Sequence, residues 1–178
     1  AGVRPVGAEF VKYARELCTE NNALLIIDEV QTGIGRTGSW FAFQREELSG
    51  GIKPDVVTFA KGVAGGFPMG GMIAFGAKVA DLFTPGSHGS TFAGNPLGAA
   101  AGLATLSTIE QEHLLANAEA RGTQLRDGIM STGNPTSTRR WPSSRPFPPI
   151  CPTTDATATP FPLNGVVGTR IAVESRAA

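Results

Sequence analysis

The chain has 178 residues, 41% of them hydrophobic, which is enough for one domain with a core and part of a second. Its 15 Lys plus Arg balance 15 Asp plus Glu, so net charge points to neither nucleic acid nor an anionic membrane as a partner. No apolar run approaches the roughly 18 residues of a membrane span, and Cys18 and Cys151 form neither a metal spacing nor a disulfide framework, which makes a reducing compartment, the cytoplasm, the expected location.

The opening residues, Ala1-Gly2-Val3-Arg4-Pro5, carry no initiator Met and no signal pattern, so the chain is expected to be a piece of a longer protein. Phe10, Val11, Ala14, Leu17 and Cys18 recur at helical spacing with Lys12, Arg15, Glu16 and Glu20 opposite them, predicting an amphipathic helix over 8–19 that stops at Asn21-Asn22. Leu24-Leu25-Ile26-Ile27 follows, four aliphatic residues without alternation, as suits a strand covered on both faces of a parallel sheet. Asp28 then stands at its carboxyl end, where open α/β sheets bind ligands. Taken alone, Asp28-Glu29 reads as a solvated strand end.

Gly33-Ile34-Gly35-Arg36-Thr37-Gly38 has the G-x-G-x-x-G spacing of a dinucleotide-binding turn, with Asp55 downstream as a candidate ribose acid. Asp28 to Gln31 separates strand from glycine, however, and Ser39-Trp40-Phe41 continues poorly as a phosphate-binding helix, so a plain glycine turn is the better reading. A short helix is expected over 40–48, broken by Ser49-Gly50-Gly51. Val56 to Ala60 makes a second buried strand and delivers Lys61 to its end, a surface amine if read alone. The dense glycines of 65–71 lead to a third short strand over 72–75 and a helix near 77–83. The loop from Thr84 to Thr91 is rich in hydroxyls and backbone donors that suit an anion. Asn95-Pro96 is a strong helix start, and the helix runs to about Glu112. Leu115, Ala118, Gly122, Leu125 and Ile129 mark another, and core packing is expected for both. After Gly133 come eight of the 13 prolines with little periodicity. An irregular tail is expected, with at most a brief strand at Ile171-Ala172-Val173.

An acid at one strand end, a lysine at the next and an anion-binding loop nearby are what pyridoxal 5'-phosphate requires: covalent attachment, an acid at the ring nitrogen and donors for the phosphate. Leu24 to Gly38, Pro54-Asp55, Lys61-Gly62, Gly65-Gly66-Phe67-Pro68-Met69-Gly70 and His88 to Pro96 together closely resemble the class III (ornithine-type) aminotransferases of fold type I. The likeness extends from Gly2 to about Asp127. It implies an α/β fold, part of the large domain of a fold type I transferase with a mainly parallel sheet flanked by helices. Residues 1–95 would be the C-terminal part of the cofactor-binding large domain, 96–130 an interdomain helix and the first small-domain helix, and 131–178 an irregular tail.

By the same resemblance Asp28 would pair with the pyridinium nitrogen, Gln31 would bond the side of the ring hydroxyl, and Lys61 would hold the cofactor covalently and move the proton. Ser90 and Thr91 would reach the phosphate of a partner subunit's cofactor, implying a homodimer with shared sites. The implied reaction is transamination between an ω-amino donor and 2-oxoglutarate. Phe67-Pro68-Met69-Gly70 leans toward N-acetylornithine, in arginine biosynthesis, over ornithine or 4-aminobutyrate; succinylornithine stays an alternative donor, and an inactive fragment or binding module is the rival. The spacing from Asp28 to Lys61 exceeds the family's usual one, and the extra residues are expected within 45–51. The family's upstream phosphate loop, ring-stacking aromatic and carboxylate-binding arginine have no counterpart here; Arg139 and Arg140 are not assigned that role.

Overall fold

The computed structural model describes residues 5–82, 84–86, 89–131 and 171–174. Helix α1 (Ala8–Glu20) buries Val11, Ala14 and Cys18, and these pack on Leu25, Ile27 and Val57 of the sheet. Full burial of side chains such as Leu25 and Val57 contributes about 1.5–3 kcal/mol each. The helix stops where expected, with Asn21 Nδ2 donating to Leu17 O at 2.9 Å and Asn22 turning the chain at φ +50°.

Strand β1 (Leu24–Asp28) lies parallel to β2 (Val56–Phe59), with Ile26 opposite Val56 and Asp28 opposite Thr58. Strand β3 (Gly71–Ala74) runs antiparallel to β2. The connection explains the direction: Ala60 to Gly70 is too short for a parallel crossover, which takes a dozen or more residues. On the other edge β4 (Ile171–Glu174) pairs antiparallel with β1, completing the order β3-β2-β1-β4. The brief strand expected at 171–173 is thus present, and the rest of the expected tail from 132 lies outside the described residues. Of these four strands only β1 and β2 are parallel, and that pair carries the candidate site.

The single helix expected over 40–48 is two pieces, a 3-10 turn at Ala42–Gln44 and helix α2 (Glu46–Ser49), with extended backbone at Phe41 and Arg45. The Ala42 and Phe43 amides, in the first turn, donate to the Glu29 carboxylate. The helix near 77–83 is shorter than expected, α3 (Ala77–Ala80). Helix α4 (Pro96–Gln111) opens as foreseen, with Asn95 Oδ1 accepting from the Leu97 and Gly98 amides at 2.9 and 3.2 Å.

Helix α5 (Leu114–Ser131) follows a turn through His113, which has φ +53°. The expected core packing of these two helices is not what the structure shows. Helix α4 buries Gly98 and Gly102 alone, α5 buries no residue, and Leu103 and Leu125 remain 68% and 66% exposed. The two glycines remove bulk where Phe67 and Met69 approach: a Cβ on Gly98 would sit 3.3 Å from Phe67 Cε1, and one on Gly102 would sit 2.9 Å from Met69 Sδ. Helix α4 therefore leans on the segment after Lys61 through its backbone, while Leu97 and Leu103 are exposed.

Candidate active site

The parallel register places Asp28 beside Thr58 at the carboxyl edge of the sheet, and Lys61 emerges from the same edge just past Phe59. Leu25, Ile27 and Val57 face α1, so by alternation Asp28 and Thr58 face the other side. Asp28 is half-buried. Its Oδ1 accepts the Val30 amide at 2.9 Å, and Oδ2 accepts no hydrogen bond among the described residues. One carboxylate oxygen thus has no donor among the described residues.

Lys61 opens a 3-10 turn, Lys61–Ala64, with φ +53°, in the left-handed region that non-glycine residues avoid. Holding it there costs of order 1–3 kcal/mol, and such residues persist only where their surroundings over-determine them. Here Val63 and Ala64 are buried behind it and α4 backs the turn. The amine itself is exposed and donates to Gln31 Oε1. Gln31, on the turn after β1, is thus brought into direct contact with Lys61.

Ser90 and Thr91 are exposed on the loop before α4, where Ser90 O accepts the Ala93 amide at 3.1 Å. Among the described residues, no hydrogen bond joins them to Asp28, Gln31 or Lys61. His88, in the same motif, lies outside the described residues.

Asp28, Gln31 and Lys61 fit pyridoxal phosphate. The ring needs an amine for covalent attachment and a carboxylate at its nitrogen, and the chain offers an exposed amine and an unfilled carboxylate oxygen at neighbouring strand ends. An apolar cavity of about 390 Å³ between Trp40, Phe59, Ile73 and Leu103 is lined by none of the five expected site residues.

The dinucleotide alternative does not survive. No helix begins within Gly33 to Gly38. A Cβ on Gly33 would meet the Glu29 carbonyl oxygen at 2.8 Å, so that glycine answers to the chain's own backbone. Asp55 is also engaged, since its Oδ2 accepts from Arg15 Nη1 and from the Leu25 amide, both at 2.7 Å.

Sequence reasoning missed Glu29. Read as part of a solvated strand end, it is 1% exposed. Its Oε2 accepts from Thr32 Oγ1 at 2.6 Å and the Ala42 amide at 2.8 Å, and its Oε1 accepts the Phe43 amide at 2.8 Å. No helix among the described residues is long and apolar enough to cross a membrane.

Residues 1–138 match the family described as Aminotransferase class-III. The chain is similar to the acetylornithine aminotransferase of Bifidobacterium longum, 82% identical over 135 residues that make up 76% of this chain and 31% of that protein. Among solved structures it resembles the acetylornithine aminotransferase of Elizabethkingia anophelis, at 36% identity and a TM-score of 0.60 over 70% of this chain and 31% of that one. It also resembles the taurine:2-oxoglutarate aminotransferase of Bifidobacterium kashiwanohense, solved in complex with PLP and glutamate, at 32% identity and a TM-score of 0.61 over 72% of this chain and 30% of that one. The chain thus spans about a third of the length of the relatives it matches.

Proposed function

The chain belongs to the class-III aminotransferases, and from that premise we propose that the protein it is part of transfers an ω-amino group from N-acetylornithine to 2-oxoglutarate, using pyridoxal 5'-phosphate. The observation that carries this reading is the presentation of Asp28 and Lys61 at the carboxyl ends of adjacent parallel strands. The choice of donor rests on the 82% identity with an acetylornithine aminotransferase. Arginine biosynthesis in the cytoplasm is the setting that this donor implies.

In this reading Asp28 holds the ring nitrogen, where a negative charge favours the protonated form. Gln31, which already reaches Lys61, bonds the side of the ring hydroxyl. Lys61 would hold the cofactor covalently, and its amine would carry a proton to and from the substrate carbon as a general base and acid. When bound, the cofactor supplies an electron sink for that carbon. Ser90 and Thr91, exposed on their loop, serve the phosphate in the partner subunit of a homodimer. Residues 1–95 form the C-terminal part of the cofactor-binding domain, and 96–130 the interdomain helix and first small-domain helix.

The test uses the full-length protein. Mixed with pyridoxal phosphate it turns yellow, and borohydride fixes the label to the peptide containing Lys61; Lys61→Ala abolishes the fixation. N-acetylornithine supports formation of the aldehyde product, with glutamate from 2-oxoglutarate, at a kcat/KM at least about tenfold above ornithine, succinylornithine or 4-aminobutyrate. Label on another lysine overturns the site, and a better donor among the other three overturns the substrate.

A further inference from the structure

We propose that Glu29 is a positioning residue for this site, a buried carboxylate that fixes the relative placement of Asp28 before it and Gln31 after it. The inference rests on the cofactor reading above. Glu29 is 1% exposed, and its carboxylate accepts three hydrogen bonds from neutral donors, Thr32 Oγ1, Ala42 N and Phe43 N, at 2.6 to 2.8 Å. No lysine or arginine pairs with it among the described residues. A charge taken out of water this completely is tolerated only when its acceptors are filled, and removing one hydrogen bond from such a network leaves another group orphaned.

The backbone of the same residue completes the device. Glu29 N donates to Thr58 O at 2.9 Å, extending the bonding between the two parallel strands one residue past the end of β1. Glu29 O accepts the Gly33 amide at 2.8 Å, closing the turn that carries Gln31. Thr32, within that turn, is held by the Glu29 side chain. One residue thereby ties together the strand end bearing Asp28, the turn bearing Gln31 and the 42–44 turn behind them. Asp28 and Gln31 contact the cofactor in the proposed site; Glu29 does not, and acts through them.

Glu29→Gln keeps the shape and removes one acceptor. Whichever way the amide is turned, its NH2 faces a backbone donor: Phe43 N in one orientation, Ala42 N in the other. The full-length holoenzyme carrying Glu29→Gln is compared with one carrying Asp55→Asn, which weakens the other carboxylate anchor of the β1–β2 pair, at the end remote from Asp28. Three quantities are measured: the thermal midpoint, the rate at which pyridoxal phosphate is lost, and the visible circular dichroism per bound cofactor, which reports how the ring is held.

Both variants lower the thermal midpoint. Glu29→Gln alone speeds cofactor loss about tenfold and reduces the dichroism by roughly half, and kcat falls with it. If Glu29→Gln does not fold, Thr32→Val, which removes one of the three donors, is read in the same way and shows a smaller change in the same direction. A thermal loss equal to that of Asp55→Asn with unchanged dichroism and cofactor loss reduces Glu29 to a structural anchor and overturns the inference. An unmodified protein with no visible band removes the cofactor reading, and this inference falls with it.

Discussion

The Arg15 guanidinium and the Asp55 carboxylate meet at 2.7 Å, joining α1 to the turn that enters β2. The same Asp55 oxygen accepts the Leu25 amide at 2.7 Å, so one carboxylate fixes the helix and the start of β1. Both side chains are 22% exposed, sheltered enough for the pair to count. Asp55→Ala leaves the Leu25 amide unpaired beside a buried leucine and lowers stability by about 2–3 kcal/mol. Urea unfolding of the full-length protein measures it, and a loss under about 0.5 kcal/mol, typical of an exposed pair, contradicts the anchoring role.

Gly33 faces a different constraint. A Cβ there would stand 2.8 Å from the Glu29 carbonyl oxygen and 3.1 Å from Phe41 Cδ1, and the carbonyl is backbone that cannot step aside. Gly33→Ala therefore opens the turn at a cost of about 1–3 kcal/mol, typical of overpacking, and displaces Gln31 with it. Thermal unfolding registers the first effect, and a raised dissociation constant for pyridoxal phosphate the second. Gly66→Ala is the comparison for space: Gly66 has φ +112° but nothing within 4 Å of a Cβ, so it costs backbone strain without moving Gln31.

Lys61 sits at φ +53°, where alanine is as strained as lysine and glycine is not. Without cofactor, Lys61→Gly is accordingly more stable than Lys61→Ala by about 1 kcal/mol, the left-handed relief outweighing glycine's added freedom in the unfolded chain. Neither variant fixes the cofactor. Denaturant midpoints of the two cofactor-free proteins decide the point; equal midpoints mean that the backbone at this position relaxes when the lysine is gone.

What could be read from the sequence followed from side-chain character. Leu24 to Ile27 and Val56 to Phe59 announce strands because short runs of aliphatic, β-branched and aromatic residues suit a sheet, although β1 is fully buried on one face alone, and Asp28 and Lys61 are legible because they end such runs. Asn95-Pro96 likewise specifies its own helix start through local hydrogen bonding. Glu29 was not legible, because a charged residue defaults to solvent until its donors are known, and two of those donors, the Ala42 and Phe43 amides, belong to backbone far along the chain. The same two bonds cap the 3-10 turn at Ala42–Gln44, and the expected 40–48 helix is interrupted further on, at the extended backbone of Arg45. The exposed Leu97 and Leu103 of α4 and Leu125 of α5 belong to helices with the periodicity of packed ones, and periodicity does not say what does the packing.

Arg45, at the break between the 3-10 turn and α2, gathers three acceptors: Glu47 Oε1 at 2.6 Å, Thr37 O, and Glu119 of α5, whose Oε1 accepts from Nη2 at 3.2 Å. The Arg45 hydrogen bond and then its charge hold the Glu119 carboxyl below its ordinary value near 4.5. Glu47 is held down as well, first by its own backbone amide and then by Arg45. A carboxyl depressed in the folded chain contributes stability that is present above its unfolded value and is lost as pH falls through its folded one. The tie between α5 and the 37–45 segment is therefore intact at neutral pH and released on acidification below about pH 4.5. Glu119 is exposed, so added salt weakens the tie too. Hydrogen exchange of α5 amides, corrected for intrinsic rate and compared with those of α1, speeds up between pH 6 and pH 3.5 in the full-length protein. Glu119→Gln exchanges fast at both values, and an α5 that exchanges alike in the variant and the unmodified protein at pH 6 means that the helix is held by something other than Arg45.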